Sequence, residues 1–294
     1  MRNFIQASAG FLRHHPLVWR FLALVILFTI LFYNVRPGEI AGAFRKARPH
    51  YMGIVLAFMI PNLFLQAYKW HFLLRTVSPR PSLRRATASL FGGFFLGAVS
   101  PARTGELARG LFIPGHSKLK IASLTALDKG FNHVTTYTAS FMALMLALPW
   151  PLKFLPMLAE LILLGLVVRF HRFRPAISHF FQRFSKKTTV DNLLAAFDAL
   201  SKRTVLGMFG LSVCFFIVYT TQYYFIILCF TDLEWLTAVK TIPLIYAINL
   251  VMPITIGDLG VKEMASVKLL GPFGIAGGAA VSASLAQNAL TFLI

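Results

Sequence analysis

The sequence is poor in charge, and acidic residues are especially scarce. Of its 294 residues only 13% are charged, with ten acidic against 29 basic side chains, whereas 57% are hydrophobic. A soluble domain of average composition carries about 25% charged and about 45–50% apolar residues. This shortage of charge excludes an ordinary soluble domain and predicts a polytopic membrane protein.

Cysteine and the common catalytic motifs are also scarce or missing. The two cysteines, Cys214 and Cys229, lie in one apolar stretch and have neither a metal-binding spacing nor a disulfide framework. The chain has no Asp-x-Asp pair for a metal-bound nucleotide sugar, no Walker loop, no nucleophile elbow, no His-Glu-x-x-His and no dinucleotide fingerprint. The eight histidines show no ligand spacing. We therefore expect no metal, no cofactor and no enzymatic activity.

The basic residues lie in short loops beside apolar segments, and no nucleic-acid-binding motif accompanies them. If residues 86–120 enter and leave the membrane on one side, 20 bases fall on the cytoplasmic side and 6 on the opposite side. Such a bias is typical of the positive-inside rule and of attraction to anionic headgroups. We predict a multi-pass protein of the cell (inner or plasma) membrane with a cytoplasmic N-terminus and no nucleic-acid partner.

Apolar runs extend from one end of the chain to the other, which predicts a single transmembrane domain over residues 1–294. The predicted spans are residues 17–35, 51–70, 121–148, 152–168, 205–230 and 272–294. A signal peptide cleaved near Ala41-Gly-Ala43 is the competing interpretation of the first run, which is long for that purpose. The aromatic and basic segment 169–203 is either an interfacial segment or a solvated loop with a short helix at 191–200.

Two further apolar runs, residues 86–99 and 241–252, are too short to cross about 30 Å of hydrocarbon comfortably. Each ends at a Pro-containing charged motif, so we predict that both are re-entrant segments. The predicted fold class is all-α membrane, a polytopic helical bundle with two re-entrant, broken-helix segments in a repeat-like arrangement.

The first charged motif reads Ser-Pro-Ala-Arg-Thr-Gly-Glu-Leu-Ala-Arg-Gly at residues 100–110. Charge at membrane depth costs at least about 2.5–3.5 kcal/mol per residue and usually marks a functional site. Pro101 lacks a backbone N–H and Gly105 is conformationally permissive, so the segment is able to break a helix and expose its backbone to a polar cavity.

The charged residues of this motif, Arg103, Glu106 and Arg109, are spaced by three and share one face of a helix. One interpretation is a substrate site in which the two arginines hold a phosphate and Glu106 orients an arginine or receives an ammonium group. The alternative is a buried ion pair that closes the broken helix.

The second motif supplies Gly257, Gly260, Lys262 and Glu263. These residues are candidates for the other half of the same cavity, with a helix N-terminus that offers N–H groups to an anion. A glycine hinge with a local Lys-Glu pair is the structural alternative.

A third polar group, Asp128, Lys129 and Asn132, interrupts a long apolar helix between the two motifs. Asp128 and Asn132 are one turn apart and are able to extend the polar path. The end of a cytoplasmic helix is the competing interpretation of this trio.

The order and spacing of these motifs resemble the flippase-like transmembrane family of lysylphosphatidylglycerol synthase. The resemblance rests on Pro101-x-Arg103-x-Gly105-Glu106-x-x-Arg109 and on the Gly-x-x-Gly-Val-Lys-Glu sequence at residues 257–263. It implies a helical membrane domain with two re-entrant elements that, in some members, moves aminoacylated or otherwise modified lipids between leaflets. The sequence departs from the family pattern at Asp258, at Lys262 and in the Asp128-Lys129 and Asn132 group.

The leading functional hypothesis is a lipid flippase or lipid-binding transporter that moves a polar, anionic or aminoacylated headgroup between leaflets. The predicted partners are membrane lipids: an anionic or modified phospholipid, or a lipid-linked or terpenoid lipid. A membrane-embedded glycosyltransferase-like or lipid-modifying enzyme is one alternative, and an accessory subunit that presents lipid is another. The predicted protein partners are a second copy of this chain, in a homo-oligomer, or a lipid-modifying enzyme. The soluble aminoacyl-transferring domain of bifunctional relatives has no counterpart in this sequence, so synthase activity is not expected.

Overall fold

The structure is a computed structural model that describes residues 16–78, 81–98, 100, 103–168, 178–179, 182, 200–252 and 259–293. Two predicted site residues, Pro101 and Gly257, lie outside the described residues. Most of the aromatic and basic segment 169–203 lies outside them as well, so its predicted interfacial or solvated position keeps the status of a prediction.

The described residues are almost entirely helical and contain no β-strand, which confirms the predicted all-α fold. The α-helices in chain order are α1 (Pro16–Asn34), α2 (Pro37–Arg45), α3 (Pro49–Leu74), α4 (Leu83–Ala98), α5 (Lys118–Ala147), α6 (Phe154–Val168), α7 (Lys202–Phe230), α8 (Trp235–Val251), α9 (Val261–Leu270) and α10 (Gly277–Leu293). A short 3₁₀ helix, Trp150–Leu152, joins α5 to α6, and another, Gly271–Phe273, follows α9. A longer 3₁₀ helix, Thr104–Phe112, follows α4 and is called the 3₁₀ segment below.

Among the described residues, α3 and α7 are both long and apolar enough to span a membrane, with 26 and 29 residues. About 20 apolar residues are needed for this. The two helices pack against each other through buried amides: the Asn62 side chain donates to Gln222 Oε1 at 3.0 Å, and Gln222 donates to the Val55 carbonyl at 3.1 Å. Bonds of this kind hold helices together where apolar burial alone gives little driving force.

The start of α3 and the end of α7 are tied together outside the spans. The Arg48 guanidinium donates to both carboxylate oxygens of Asp232, and the Arg48 backbone N–H donates to the Cys229 carbonyl at 2.8 Å. The bond from Arg48 lowers the pKa of Asp232 below its ordinary value. The pair stays ionised at neutral pH, and because it is exposed it fixes the ends of the helices more than it stabilises the fold.

The outward faces of the helices are apolar. Large side chains such as Ile60, Phe95, Leu155 and Leu206 are exposed on four different helices. Soluble proteins rarely expose extended apolar surface of this kind, whereas lipid-facing helices require it. Several charged side chains, among them Lys69, Glu106, Arg109 and Asp128, are instead buried inside the bundle.

The chain doubles back after α4. Ideal Cβ positions built on Gly92, Gly93 and Gly97 point at Phe112, Arg109 and Glu106, respectively. Increasing residue number in α4 therefore pairs with decreasing residue number in the 3₁₀ segment, so the two run antiparallel. A hairpin of this shape fits a re-entrant segment, and its position relative to a bilayer, like the repeat-like arrangement, keeps the status of a prediction.

Two elements differ from the sequence-based expectation. Helix α2 lies between two predicted spans, where a loop was expected. The helix forms because Pro37 and Glu39, both in its first turn, suit a helix N-terminus. Helix α8 begins at Trp235 instead of residue 241, so it has 17 residues. The predicted run started at residue 241 because residue 240 is a lysine. Lys240 is only half-buried in α8, so its flexible stem is able to keep the charge away from the apolar core.

Candidate functional site

The 3₁₀ segment carries the charged residues of the first motif. A 3₁₀ helix has three residues per turn, so residues spaced by three lie directly above one another. Glu106 and Arg109 therefore project from the same face, and both are buried. Arg103 lies just before the segment in the left-handed region, with φ of 54°, which is uncommon for a non-glycine residue. The shared face that the spacing predicted is present.

Small residues in α4 let this face approach closely. An ideal Cβ on Gly93 would lie 2.5 Å from Arg109 Cγ, and one on Gly97 would lie 2.7 Å from Glu106 Cγ. Real Cβ atoms essentially never approach this closely. The two glycines in α4 thus provide the space in which the buried arginine and glutamate lie.

Gly105 is in contact with the backbone of α4, and replacing it is expected to be damaging. Its backbone N–H donates to Ser100 Oγ at 2.6 Å, and an added Cβ would lie 2.1 Å from the Leu96 carbonyl oxygen. We expect Gly105→Ala to destabilise the protein by about 3 kcal/mol, the upper end of the overpacking range. The melting temperature of the detergent-solubilised protein measures this.

The matched control is Gly210→Ala in α7, where an added Cβ meets no atom within 4 Å. This variant is expected to be neutral or slightly stabilising, since alanine suits a helix interior better than glycine. Equal melting temperatures for the two variants would contradict the close contact at Gly105.

Glu106 is the centre of the first charge cluster. Its carboxylate is 1% exposed and contacts three cations: Arg103 at 3.0 Å, Arg109 at 2.9 Å and Lys129 at 2.6 Å. The carboxylate therefore joins the 3₁₀ segment to α5.

Asp128 extends the cluster into α3. Its carboxylate contacts Arg109 at 3.1 Å and Lys69 at 3.0 Å. Lys69 also donates to Asn132 and lies 3.5 Å from Ser212 Oγ. Asp128 and Lys129 lie well inside the 30-residue helix α5, and not at its end.

The count of 20 cytoplasmic bases includes Lys69, but the structure places this lysine inside the bundle and not in a loop. Its side chain is 1% exposed and bonded to Asp128 inside the bundle. The sequence places Lys69 beside the end of an apolar run, where loop residues are expected, but α3 continues to Leu74. The helix therefore continues past Lys69 and holds the lysine in the core of the bundle.

The cluster has more positive than negative charge. Four bases, Lys69, Arg103, Arg109 and Lys129, share the carboxylates of Glu106 and Asp128, a formal excess of two positive charges among the described residues. Buried charge that lacks a counter-charge is costly. An anion bound at the cluster would supply the missing negative charge.

Aromatic rings cover Arg109, which is one of two cations in the cluster that are only 1% exposed. The Arg109 guanidinium carbon lies 4.9 Å from the centroid of the Trp70 ring and 5.7 Å from that of Phe94. The negative face of an aromatic ring attracts a cation and does so more strongly when water is excluded. Arg109 is thus held by two carboxylates and two aromatic rings, and it does not line the cavity described below.

The second motif builds a separate buried network. Gly260, with φ of 93°, precedes α9, and its N–H donates to Glu263 Oε2 at 2.7 Å. Asn288 of α10 donates to the other oxygen of Glu263 at 2.7 Å. Lys262 donates to Asn288 and, at 3.3 Å, to Gln287.

A cavity of about 590 Å³ lies between the helices of the bundle. Six helices, α3, α4, α5, α7, α8 and α10, and the 3₁₀ segment contribute to its wall. Of the predicted site residues, those that line the cavity are Arg103, Glu106, Lys129 and Asn132. Lys262 and Glu263 are not in the wall, but Lys262 is bonded to Gln287, which is.

The sequence analysis missed several polar residues that line this cavity. They are carboxamides placed singly in apolar spans: Asn62, Gln66, Gln222, Asn249 and Gln287. A polar side chain inside a transmembrane segment usually faces the bundle interior, and this is the signal that would have identified them.

Comparison with known proteins assigns the fold to a family. Residues 17–294 match the family model described as lysylphosphatidylglycerol synthase TM region. The chain belongs to this family. No curated protein matches it. As a family member with two helices long and apolar enough to span, it is a membrane protein linked to lipid modification or transport.

Proposed function

We propose that this family member binds an anionic lipid headgroup in its cavity and moves it between leaflets, as a transporter and not as an enzyme. The observation that carries the proposal is the formal excess of two positive charges in the cluster next to the cavity. A phosphate in the cavity would offset that excess.

Two of the four bases are placed to contact such a ligand. Arg103 and Lys129 line the cavity and are 28% and 35% exposed, whereas Lys69 and Arg109 are both 1% exposed. Arg103 has N–H groups beyond the one near Glu106, and a guanidinium suits the oxygens of a phosphate. Lys129 adds a point charge from α5.

The remaining parts fit a lipid. The cavity lies between helices whose outer faces are apolar, so the headgroup is able to occupy the polar interior while the acyl chains stay in hydrocarbon. The broken backbone near the first motif lies beside this cavity, where polar groups are tolerated at membrane depth.

The test is lipid movement in vesicles that contain only the purified protein. Tail-labelled phosphatidylglycerol and phosphatidylcholine are incorporated, and loss of fluorescence to an impermeant quencher reports the outer leaflet. We expect the protein to accelerate exchange of phosphatidylglycerol well above protein-free vesicles and more than exchange of phosphatidylcholine. Exchange of phosphatidylglycerol at the protein-free rate would reject autonomous transport, and binding without exchange would favour a lipid-presenting subunit.

The proposal includes an orientation in the cell membrane, with the N-terminus in the cytoplasm. A single cysteine at Lys186, in a background with Cys214→Ser and Cys229→Ala, is expected to react with an impermeant maleimide only after the cells are opened. A cysteine at Lys153, directly before α6, is the control and is expected to react in intact cells, because the base distribution puts the two positions on opposite sides. The reverse labelling pattern would show that the orientation is inverted.

A further inference from the structure

Most of the polar wall of the cavity is uncharged. Glu106 supplies the only carboxylate among the described lining residues. The basic lining residues are Arg103, Lys129 and His133. The remainder includes hydroxyl-bearing residues and six carboxamides: Asn62, Gln66, Asn132, Gln222, Asn249 and Gln287. Each carboxamide offers both donors and an acceptor, as a hydroxyl group does.

Three of these amides form a chain with a fixed direction. Gln66 Nε2 donates to Asn62 Oδ1 at 2.7 Å, Asn62 Nδ2 donates to Gln222 Oε1 at 3.0 Å, and Gln222 Nε2 donates to the Val55 carbonyl at 3.1 Å. Each amide in this series donates to the next group, beginning with Gln66 and ending at the Val55 carbonyl. The side-chain oxygen of Gln66 therefore remains as an acceptor, to which no described residue donates.

Asn249 of α8 supplies a second acceptor. Its Oδ1 atom is buried and has no hydrogen-bond partner among the described residues. A buried polar atom without a partner is costly, so a ligand group that donates to it would gain affinity. Ester and free oxygens of an ionised phosphodiester cannot donate, so a second part of the headgroup must do so.

The charge of the cavity decides between the two kinds of donor that lipids carry. An ammonium group needs a carboxylate when it leaves water, and Glu106 already contacts Arg103, Arg109 and Lys129. A further cation would meet an excess of positive charge. Neutral hydroxyl groups donate equally well without that repulsion.

The second motif orients the opposite wall. Lys262 can only donate, so Gln287 turns its oxygen to Lys262 and donates from Nε2 to the Tyr246 hydroxyl at 2.6 Å. Tyr246 also stacks on Tyr219, with ring centroids 4.9 Å apart. Because the Tyr246 oxygen accepts from Gln287, the hydroxyl proton of Tyr246 points away from Gln287. The wall formed by these tyrosines presents hydroxyl groups and flat aromatic faces to the cavity.

From these observations we infer that the preferred headgroup joins a phosphodiester to an uncharged, hydroxyl-bearing group such as a polyol or a sugar. The inference rests on the proposed function, because the cationic residues Arg103 and Lys129 hold the phosphodiester. Gln66, Asn249 and the two tyrosines contact the hydroxyls. Lys262 acts as a positioning residue that sets the direction of the Gln287 amide.

The test compares lipids that share one phosphodiester charge. Phosphatidylethanol carries no hydroxyl, phosphatidylglycerol carries a diol, phosphatidylinositol carries a polyol ring, and phosphatidylethanolamine carries an ammonium. Titration into the detergent-solubilised protein, followed by native mass spectrometry, is expected to rank phosphatidylinositol first, at about tenfold or more above phosphatidylethanol, with phosphatidylethanolamine weakest. Equal binding of the three anionic lipids would overturn this inference alone. Failure of all three to bind would overturn the proposed function with it.

Asn249→Leu gives a second readout that does not depend on the ranking. Its oxygen has no partner to lose among the described residues, so the nearly isosteric leucine is expected to fold. We expect about a tenfold loss of phosphatidylinositol affinity and an unchanged affinity for phosphatidylethanol. Asn34→Leu, at an exposed asparagine bonded only to its own helix, is the control. Equal losses for both lipids in Asn249→Leu would contradict the hydroxyl contact.

Discussion

Glu106→Gln is expected to destabilise the protein by about 3–5 kcal/mol, the cost of breaking a buried ion pair by removal of one partner. The neutral amide would leave Lys69, Arg103, Arg109 and Lys129 with Asp128 as the remaining carboxylate of the cluster. The carboxylate is 1% exposed, so water cannot replace it. The melting temperature and the monodisperse fraction after size exclusion measure the loss.

A second substitution tests whether charge causes this loss. Glu106→Gln combined with Lys129→Gln removes one of the cations that Glu106 neutralises, so it is expected to be more stable than Glu106→Gln alone. Glu234→Gln, at an exposed acid that makes no side-chain capping bond, is the control and is expected to change stability by less than about 0.5 kcal/mol. If Glu106→Gln matches this control, the carboxylate does not hold the site together.

Neutralising the two cavity-lining bases is expected to remove anionic-lipid binding while the fold survives. In Arg103→Gln with Lys129→Gln, the cluster keeps Lys69 and Arg109 against Glu106 and Asp128, which is a balanced set of buried charges. Each lost charged contact is worth about 1.5–3 kcal/mol, so we expect at least about a 100-fold loss of affinity for phosphatidylglycerol.

The matched control is Lys118→Gln with Lys120→Gln. These lysines are exposed in the first turn of α5, and their loss changes the net charge of the protein by the same amount. The control separates binding in the cavity from general attraction of a basic protein to anionic lipid. Equal loss of affinity in the two double variants would show that the binding is non-specific.

The two long apolar helices, α3 and α7, were predictable because the length of a span is set by the bilayer and its composition by the lack of water. The length of the apolar run predicted the start of α7 to within three residues and predicted its last residue correctly. The spacing of Arg103, Glu106 and Arg109 predicted their shared face, since residues three apart are neighbours on an α-helix and on the 3₁₀ helix that the structure shows.

The long-range contacts were not predictable from local pattern. Lys69 and Asp128 are 59 positions apart, and nothing in either neighbourhood indicates that α3 packs beside α5 at that level. The role of Gly93 and Gly97 depends on the chain doubling back after α4, which only the packed structure shows.

The position of the second motif shows a further limit of sequence patterns. Charge in a broken apolar segment marked Lys262 as a candidate ligand-binding residue, but α10 lies between it and the cavity and supplies Gln287 instead. Residue type predicts that a buried lysine must be paired, whereas which helix supplies the partner depends on packing.

The most direct test of the central claim is native mass spectrometry of lipid that remains bound after purification in mild detergent. We predict that the wild-type protein and Lys118→Gln with Lys120→Gln retain an anionic phospholipid, identified by fragmentation, and that Arg103→Gln with Lys129→Gln does not. A zwitterionic lipid on the wild-type protein, or the same anionic lipid retained by all three proteins, would contradict the claim that the two cavity-lining bases hold an anionic headgroup.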